Sequence, residues 1–211
     1  MIPDKEEWIK ALNARHGIEL QKKISATTVA ICGLGGLGSN IASALTRAGI
    51  GKLILIDFDK VDITNLHRQQ YKANQIGMDK TEALQKNLTE INPYLETEIH
   101  TACIKESNAK DLLSNADIIC EAFDNAECKA MLTNYVLEKM PDKYIVASSG
   151  MAGLGASNAI HTRKITARFY LCGDEKSDAK DDIGLISSRV MLCAAHQAHT
   201  VLRIIANKFE V

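Results

Sequence analysis

The sequence predicts an α/β protein: a Rossmann-like, mostly parallel sheet with helices on both faces and antiparallel strands added in the C-terminal part. Three observations predict it. Short apolar runs alternate with longer amphipathic segments from residue 28 to residue 148, as when helices join parallel strands. The first run passes directly into Gly33-Leu-Gly-Gly-Leu-Gly38, a strand-to-helix turn typical of this class. From Gly150 the texture changes, with Gly150, Gly153 and Gly155 breaking the chain before two short runs that read as a hairpin.

The elements follow in order. Residues 5–24 read as one helix, with Trp8, Leu12 and Leu20 as apolar contacts. Residues 28–32 are a short buried strand. A helix follows the glycine turn, with Ile41, Leu45 and Ala48 on one face, and Gly49 and Gly51 end it. Residues 52–57 form the second strand, and the crossover between the two is right-handed. Residues 80–91 suit a helix that stops at Asn92-Pro93. A strand over 96–101, a helix over 109–114, a strand over 118–121, a helix over 126–139 and a strand over 144–148 complete the alternation. The hairpin is expected over 157–161 and 164–171. Residues 173–182 are polar and acidic and read as a loop, and 187–207 as one long apolar helix.

The chain has 211 residues, enough for one domain, expected over 1–211, with a substantial core. Apolar residues make up 46% and charged residues 24%, ordinary for a globular protein. The net charge of −1 gives no electrostatic case for nucleic acid or an anionic membrane. No apolar run approaches the ~18 residues of a spanning helix, and the charged N-terminus lacks a signal core. The expected location is the cytoplasm. The six cysteines form no C-x-x-C pair, so no zinc is expected.

The glycine turn lets a phosphate approach backbone N–H groups at a helix N-terminus. Asp57 ends the next strand nineteen residues after Gly38, where an acid meets the ribose hydroxyls of an adenosine. Arg68 and Lys80 fall near the C-terminal ends of the first strands. Two cations there suit a triphosphate better than a nicotinamide cofactor, although from spacing alone either could be a solvated surface charge. Asp124 and Asn125 follow the strand over 118–121. Either could cap the next helix, and a carboxylate there could equally hold Mg²⁺. Cys172 is weighed as a reactive thiol against a plain cysteine at a strand end. His196 and His199 lie on a helix so apolar that they read as core or interface residues.

These residues together resemble a known family. Gly33-Leu-Gly-Gly-Leu-Gly38-Ser39-Asn40, Asp57-Phe-Asp59-x-Val61, Asn65-Leu-x-Arg68-Gln69, Ile76-Gly77-x-x-Lys80, Ile91-Asn92-Pro93 and Phe123-Asp124-Asn125 are similar, in order, to motifs of the ubiquitin-activating-enzyme superfamily. Ala14-Arg15-His16-Gly17, residues 147–153, residues 169–174 and residues 193–197 resemble its short ThiF-type adenylyltransferases. The resemblance implies ATP-dependent adenylylation of the C-terminal carboxylate of a small ubiquitin-like sulfur carrier ending in Gly-Gly, ThiS of thiamine biosynthesis being the expected one.

The resemblance also implies site residues. Gly33, Gly35, Gly36, Gly38, Asp57, Asp59, Asn65, Arg68, Gln69, Lys80, Asp124 and Asn125 would bind ATP, with Mg²⁺ on Asp124. Arg68, Lys80 and Asp124 would act in catalysis, joined by Arg15 reaching from the partner of a homodimer. Residues 28–150 would hold the nucleotide and 151–211 the carrier, with a sulfur-donor enzyme as a further partner. Many relatives carry two C-x-x-C pairs for structural zinc, which this sequence lacks. The rival readings are a nicotinamide-dependent oxidoreductase, a non-catalytic scaffold, and a related adenylylating enzyme acting on tRNA or a peptide.

Overall fold

A computed structural model describes residues 2–178, 180 and 183–211. Its seven strands are β1 Thr28–Cys32, β2 Lys52–Asp57, β3 Glu96–Thr101, β4 Ile118–Glu121, β5 Tyr144–Ser148, β6 His161–Lys164 and β7 Phe169–Gly173. Its α-helices are α1 Lys5–His16, α2 Ile18–Ala26, α3 Gly36–Arg47, α4 Lys80–Ile91, α5 Glu106–Leu113, α6 Ala126–Lys139 and α7 Ser187–Ile205. The strands form one sheet in the order β3-β2-β1-β4-β5-β7-β6.

Alternate residues of each central strand serve opposite cores, because successive Cβ atoms point to opposite faces. Val29 and Ile31 of β1 pack with Ile41 and Leu45 of α3, Leu84 and Leu88 of α4, and Val201 of α7. Ala30 and Cys32 pack instead with Ala109 and Leu113 of α5 and Leu132 and Val136 of α6. Helices on both faces are why the inner strands are almost wholly apolar. From β1 the chain steps outward to β2 and β3, then returns to β4 on the other side of β1. This reversal opens a crevice at the C-terminal ends of the strands, where such sheets bind ligands.

The expected helix over 5–24 is two helices. Gly17, at φ 81, breaks it, a left-handed conformation that glycine adopts without steric cost. Asp4 and Glu7 cap α1 reciprocally. The expected hairpin is shifted in sequence. Residues 157–159 form a 3₁₀ turn, and the antiparallel pair is β6 with β7. Strand β7 itself runs parallel to β5, so a single antiparallel strand, β6, ends the sheet. The helix expected over 109–114 begins earlier, at Glu106, and α7 stops at Ile205. Of the acidic loop over 173–182, Ala179, Asp181 and Asp182 lie outside the described residues. Among the described residues no helix is long and apolar enough to cross a membrane.

Candidate functional site

The glycines of the turn divide their work. Gly33 has φ 92, and a Cβ there would lie 2.8 Å from the Ala122 carbonyl oxygen. A Cβ on Gly38 would run into the Gly33 carbonyl oxygen. These two glycines therefore shape the turn and seat α3 on β1, while Gly35 and Gly36 line a cavity of about 420 Å³. The turn is held from below. Asp57 Oδ2 accepts from the Leu34 N–H at 2.6 Å, Asp57 Oδ1 accepts from the Asp59 N–H at 2.8 Å, and the Tyr71 hydroxyl donates to the Leu34 carbonyl at 2.7 Å. Burial raises the Asp57 pKa, and nearby Lys80 opposes the rise. Asp57 thus lines the cavity and also anchors the turn.

Asn65, Arg68 and Gln69 form one wall, delivered by the segment after β2. That segment is tied to α3: Asn40 Nδ2 donates to the Arg68 carbonyl at 3.2 Å, and the Gln70 N–H donates to Ser39 Oγ at 3.1 Å. Arg68 Nη1 donates to the Thr64 carbonyl at 3.3 Å. Arg68 Nε and Gln69 Oε1, however, are buried without a hydrogen-bond partner. Such groups carry a desolvation cost of ~1–3 kcal/mol each until something satisfies them. Burial lowers the Arg68 pKa, and Asp124 pulls it back up, so the two side chains are within electrostatic reach. Lys80 opens α4, and its nearly buried ammonium donates to Asp59 Oδ2 at 2.7 Å. One ion pair leaves two of its three N–H donors for a ligand.

The two readings of Asp124 and Asn125 separate cleanly. Asn125 is the N-cap of α6, its Oδ1 accepting from the Cys128 N–H at 2.9 Å. Asp124, one residue earlier, is exposed at the cavity and is not the cap. Its carboxylate is therefore available to a cation.

Arg15 is exposed on α1 and is absent from the cavity lining. Cys172 is fully buried in the core under α7, and burial pushes its thiol up to about 11; of the two readings weighed for it, this burial favours the plain cysteine at a strand end. His196 bonds Thr162 Oγ1 through Nδ1 at 2.9 Å at the interface of α7 with β6, while His199 is exposed. They line, with His161, a second cavity away from the glycine turn.

Two ion pairs that the sequence does not announce brace the site, one half-buried on its lysine side and one buried on both sides. Glu121 ends β4 fully buried; burial raises its pKa and Lys129 opposes the rise. Lys129, one turn into α6, reaches Glu121 Oε2 at 3.0 Å and Ser148 Oγ at 2.9 Å, bracing β4 and β5 under the cavity floor. Arg189, in the first turn of α7, pairs with Asp174 and donates to the carbonyls of Ala152 at 2.9 Å, Gly155 at 2.6 Å and Ala156 at 3.0 Å. It thereby holds the loop over 152–156 whose neighbours Gly150 and Met151 line the cavity. The available signal was a charge ending an apolar strand and an arginine opening an apolar helix.

A model of the ThiF family matches residues 10–211. The chain is 34% identical over 147 residues to the adenylyltransferase and sulfurtransferase MOCS3 of Caenorhabditis briggsae, covering 69% of this chain and 36% of the relative. It is 39% identical over 132 residues to ubiquitin-like modifier-activating enzyme 5 of Caenorhabditis elegans, covering 57% and 32%. The chain thus spans about a third of the length of these relatives. Among solved structures it superposes on the Escherichia coli tRNA N6-threonylcarbamoyladenosine dehydratase TcdA bound to AMP, with a TM-score of 0.86 at 19% identity over 99% of this chain and 98% of that one. Escherichia coli MccB superposes with a TM-score of 0.74 at 20% identity, over 92% and 59%. Both likenesses speak for the fold.

Proposed function

Because the chain belongs to the ThiF family, we propose that it uses ATP to adenylylate the C-terminal carboxylate of a small ubiquitin-like sulfur carrier, releasing pyrophosphate. The observation that carries this reading is the meeting of Arg68, Gln69, Lys80 and Asp124 with the glycine turn around one cavity, two of them with buried polar atoms left unsatisfied. A nicotinamide reading does not account for Arg68, Lys80 and Asp124 together.

The chemistry needs no general base. A C-terminal carboxylate with a pKa near ~3.5 is ionised at neutral pH. It attacks the α-phosphorus and pyrophosphate leaves. The chain has to bring two anions together and stabilise the charge that develops on the leaving group. The turn would hold phosphates against Gly35 and Gly36 and the N-terminus of α3. Arg68 and Lys80 would orient and neutralise the outer phosphates, Lys80 through the donors that Asp59 does not use. Asp124, uncommitted to the helix cap, fits as the ligand of Mg²⁺, which when bound would offset phosphate charge. The carrier tail would run past Gly150 along the loop that Arg189 immobilises, where small residues admit another backbone.

The test is ATP–pyrophosphate exchange. Exchange is expected only when ThiS or another carrier ending in Gly-Gly is present. Exchange driven by tRNA or a free peptide, with carriers inert, would overturn the proposed substrate. Arg15 is proposed to complete the site of a partner chain in a homodimer, since it lies outside the cavity of its own. Mixing Arg15→Ala protein with Asp124→Ala protein should restore exchange to about a quarter of the parent rate for random pairing into dimers with one intact site in half of them. No recovery despite demonstrated subunit exchange would eliminate action in trans.

A further inference from the structure

The six cysteines fall into two groups. Cys32, Cys120, Cys172 and Cys193 are buried in the sheet and α7, and burial raises the pKa of all four. They are poor nucleophiles, because the thiolate is the reacting species. Cys103 and Cys128 differ. Cys103 follows β3 and is exposed; Cys128 lies in the first turn of α6 and is half-buried. Both line the same cavity as the glycine turn, Cys128 between the exposed Asp124 and the brace residue Lys129. Gln69, whose buried Oε1 has no hydrogen-bond partner, lines that cavity too, the same unsatisfied group that marks the cavity for a polar ligand.

Building on the nucleotide reading of this cavity, we propose that Cys103 and Cys128 are a thiol-modification site, at which a mixed disulfide with a low-molecular-weight thiol excludes the nucleotide. The step is thiol–disulfide exchange. The cysteine thiolate attacks one sulfur of a small disulfide such as oxidised glutathione. A protein–glutathione S–S bond forms, the S–S bond of the reagent breaks, and the departing thiolate takes up a proton. The protein thiol is oxidised as half of the reagent is reduced, so no other oxidant is needed. The adduct carries a tripeptide with two carboxylates into a cavity of about 420 Å³, within the ~300–1,000 Å³ range of single-ligand sites. It would displace the nucleotide by volume and repel its phosphates by charge. A reducing thiol would reverse it.

The experiment treats the full chain with oxidised glutathione and locates adducts by peptide mass mapping, with ATP affinity measured by calorimetry before and after. Adducts are expected at Cys103 and Cys128, forming at least tenfold more slowly under saturating ATP and Mg²⁺. Treatment should weaken ATP binding tenfold or more, and dithiothreitol should restore it. In the Cys103→Ser/Cys128→Ser protein, treated and untreated samples should bind ATP alike. Adducts confined to other cysteines, or adducts at these two with ATP affinity unchanged, would overturn the proposal alone. Failure of the untreated protein to bind ATP would remove the nucleotide reading and the proposal with it.

Discussion

Replacing Asp124 with alanine is expected to lower pyrophosphate exchange about a hundredfold or more while leaving the melting temperature close to that of the parent. The size of the effect follows from what the carboxylate does and does not touch. It sits past the C-terminal end of β4, exposed at the cavity. The helix that follows is capped by its neighbour Asn125, so deleting the Asp124 side chain removes no cap. Its remaining relation is electrostatic, with Arg68 and with whatever cation the cavity takes. The neighbouring substitution provides the control. Asn125→Ala, which removes the cap, should cost ~1 kcal/mol of stability, a loss that Asp124→Ala should not show. Measuring melting and exchange on both variants decides the matter. An Asp124→Ala protein that exchanges at near-parent rate would show that this carboxylate is dispensable.

Replacing Arg189 with methionine is expected to cost ~3–5 kcal/mol, the range found when one partner of a buried ion pair is removed. The side chain is 4% exposed. Its loss strands three backbone carbonyls over 152–156 and leaves the Asp174 carboxylate buried without its counter-charge. Denaturant unfolding measures the loss; a cost below ~1 kcal/mol would mean that solvent replaces the guanidinium. The same cluster predicts an acid limb. Burial alone would raise the Asp174 pKa, but the N–H groups of Ser177 and Lys176, the Ser177 hydroxyl and Arg189 together hold it well below the usual range. A carboxylate depressed on folding stabilises the native state above its unfolded pKa of ~3.9, and that contribution disappears as pH falls through the lower folded value. The parent should therefore lose stability more steeply below about pH 4 than an Asp174→Asn variant.

What the sequence determined by itself is the part of the protein encoded by local pattern. The βα alternation, the glycine turn and the strand-ending Asp57 are legible because the residues that cause them lie within one element and its turn. Arg68, Lys80 and Asp124 were legible as cavity residues for the same reason: the parallel topology carries the C-terminal end of every inner strand to one crevice. The tertiary structure decided the rest. Whether Asp124 or Asn125 caps α6 depends on a side-chain direction, not on a residue type. Gly17 splits α1 from α2 through a backbone conformation that composition does not reveal. Cys172 stands at a strand end in the sequence, but β7 inserts between β5 and β6 and α7 covers it, so burial sets its chemistry. Arg189 and Lys129 became readable only once their acceptors, drawn from residues 152–174 and from β4 and β5, were in place. A buried charge is tolerated only where the fold supplies such acceptors, and those come from parts of the chain that only folding brings together.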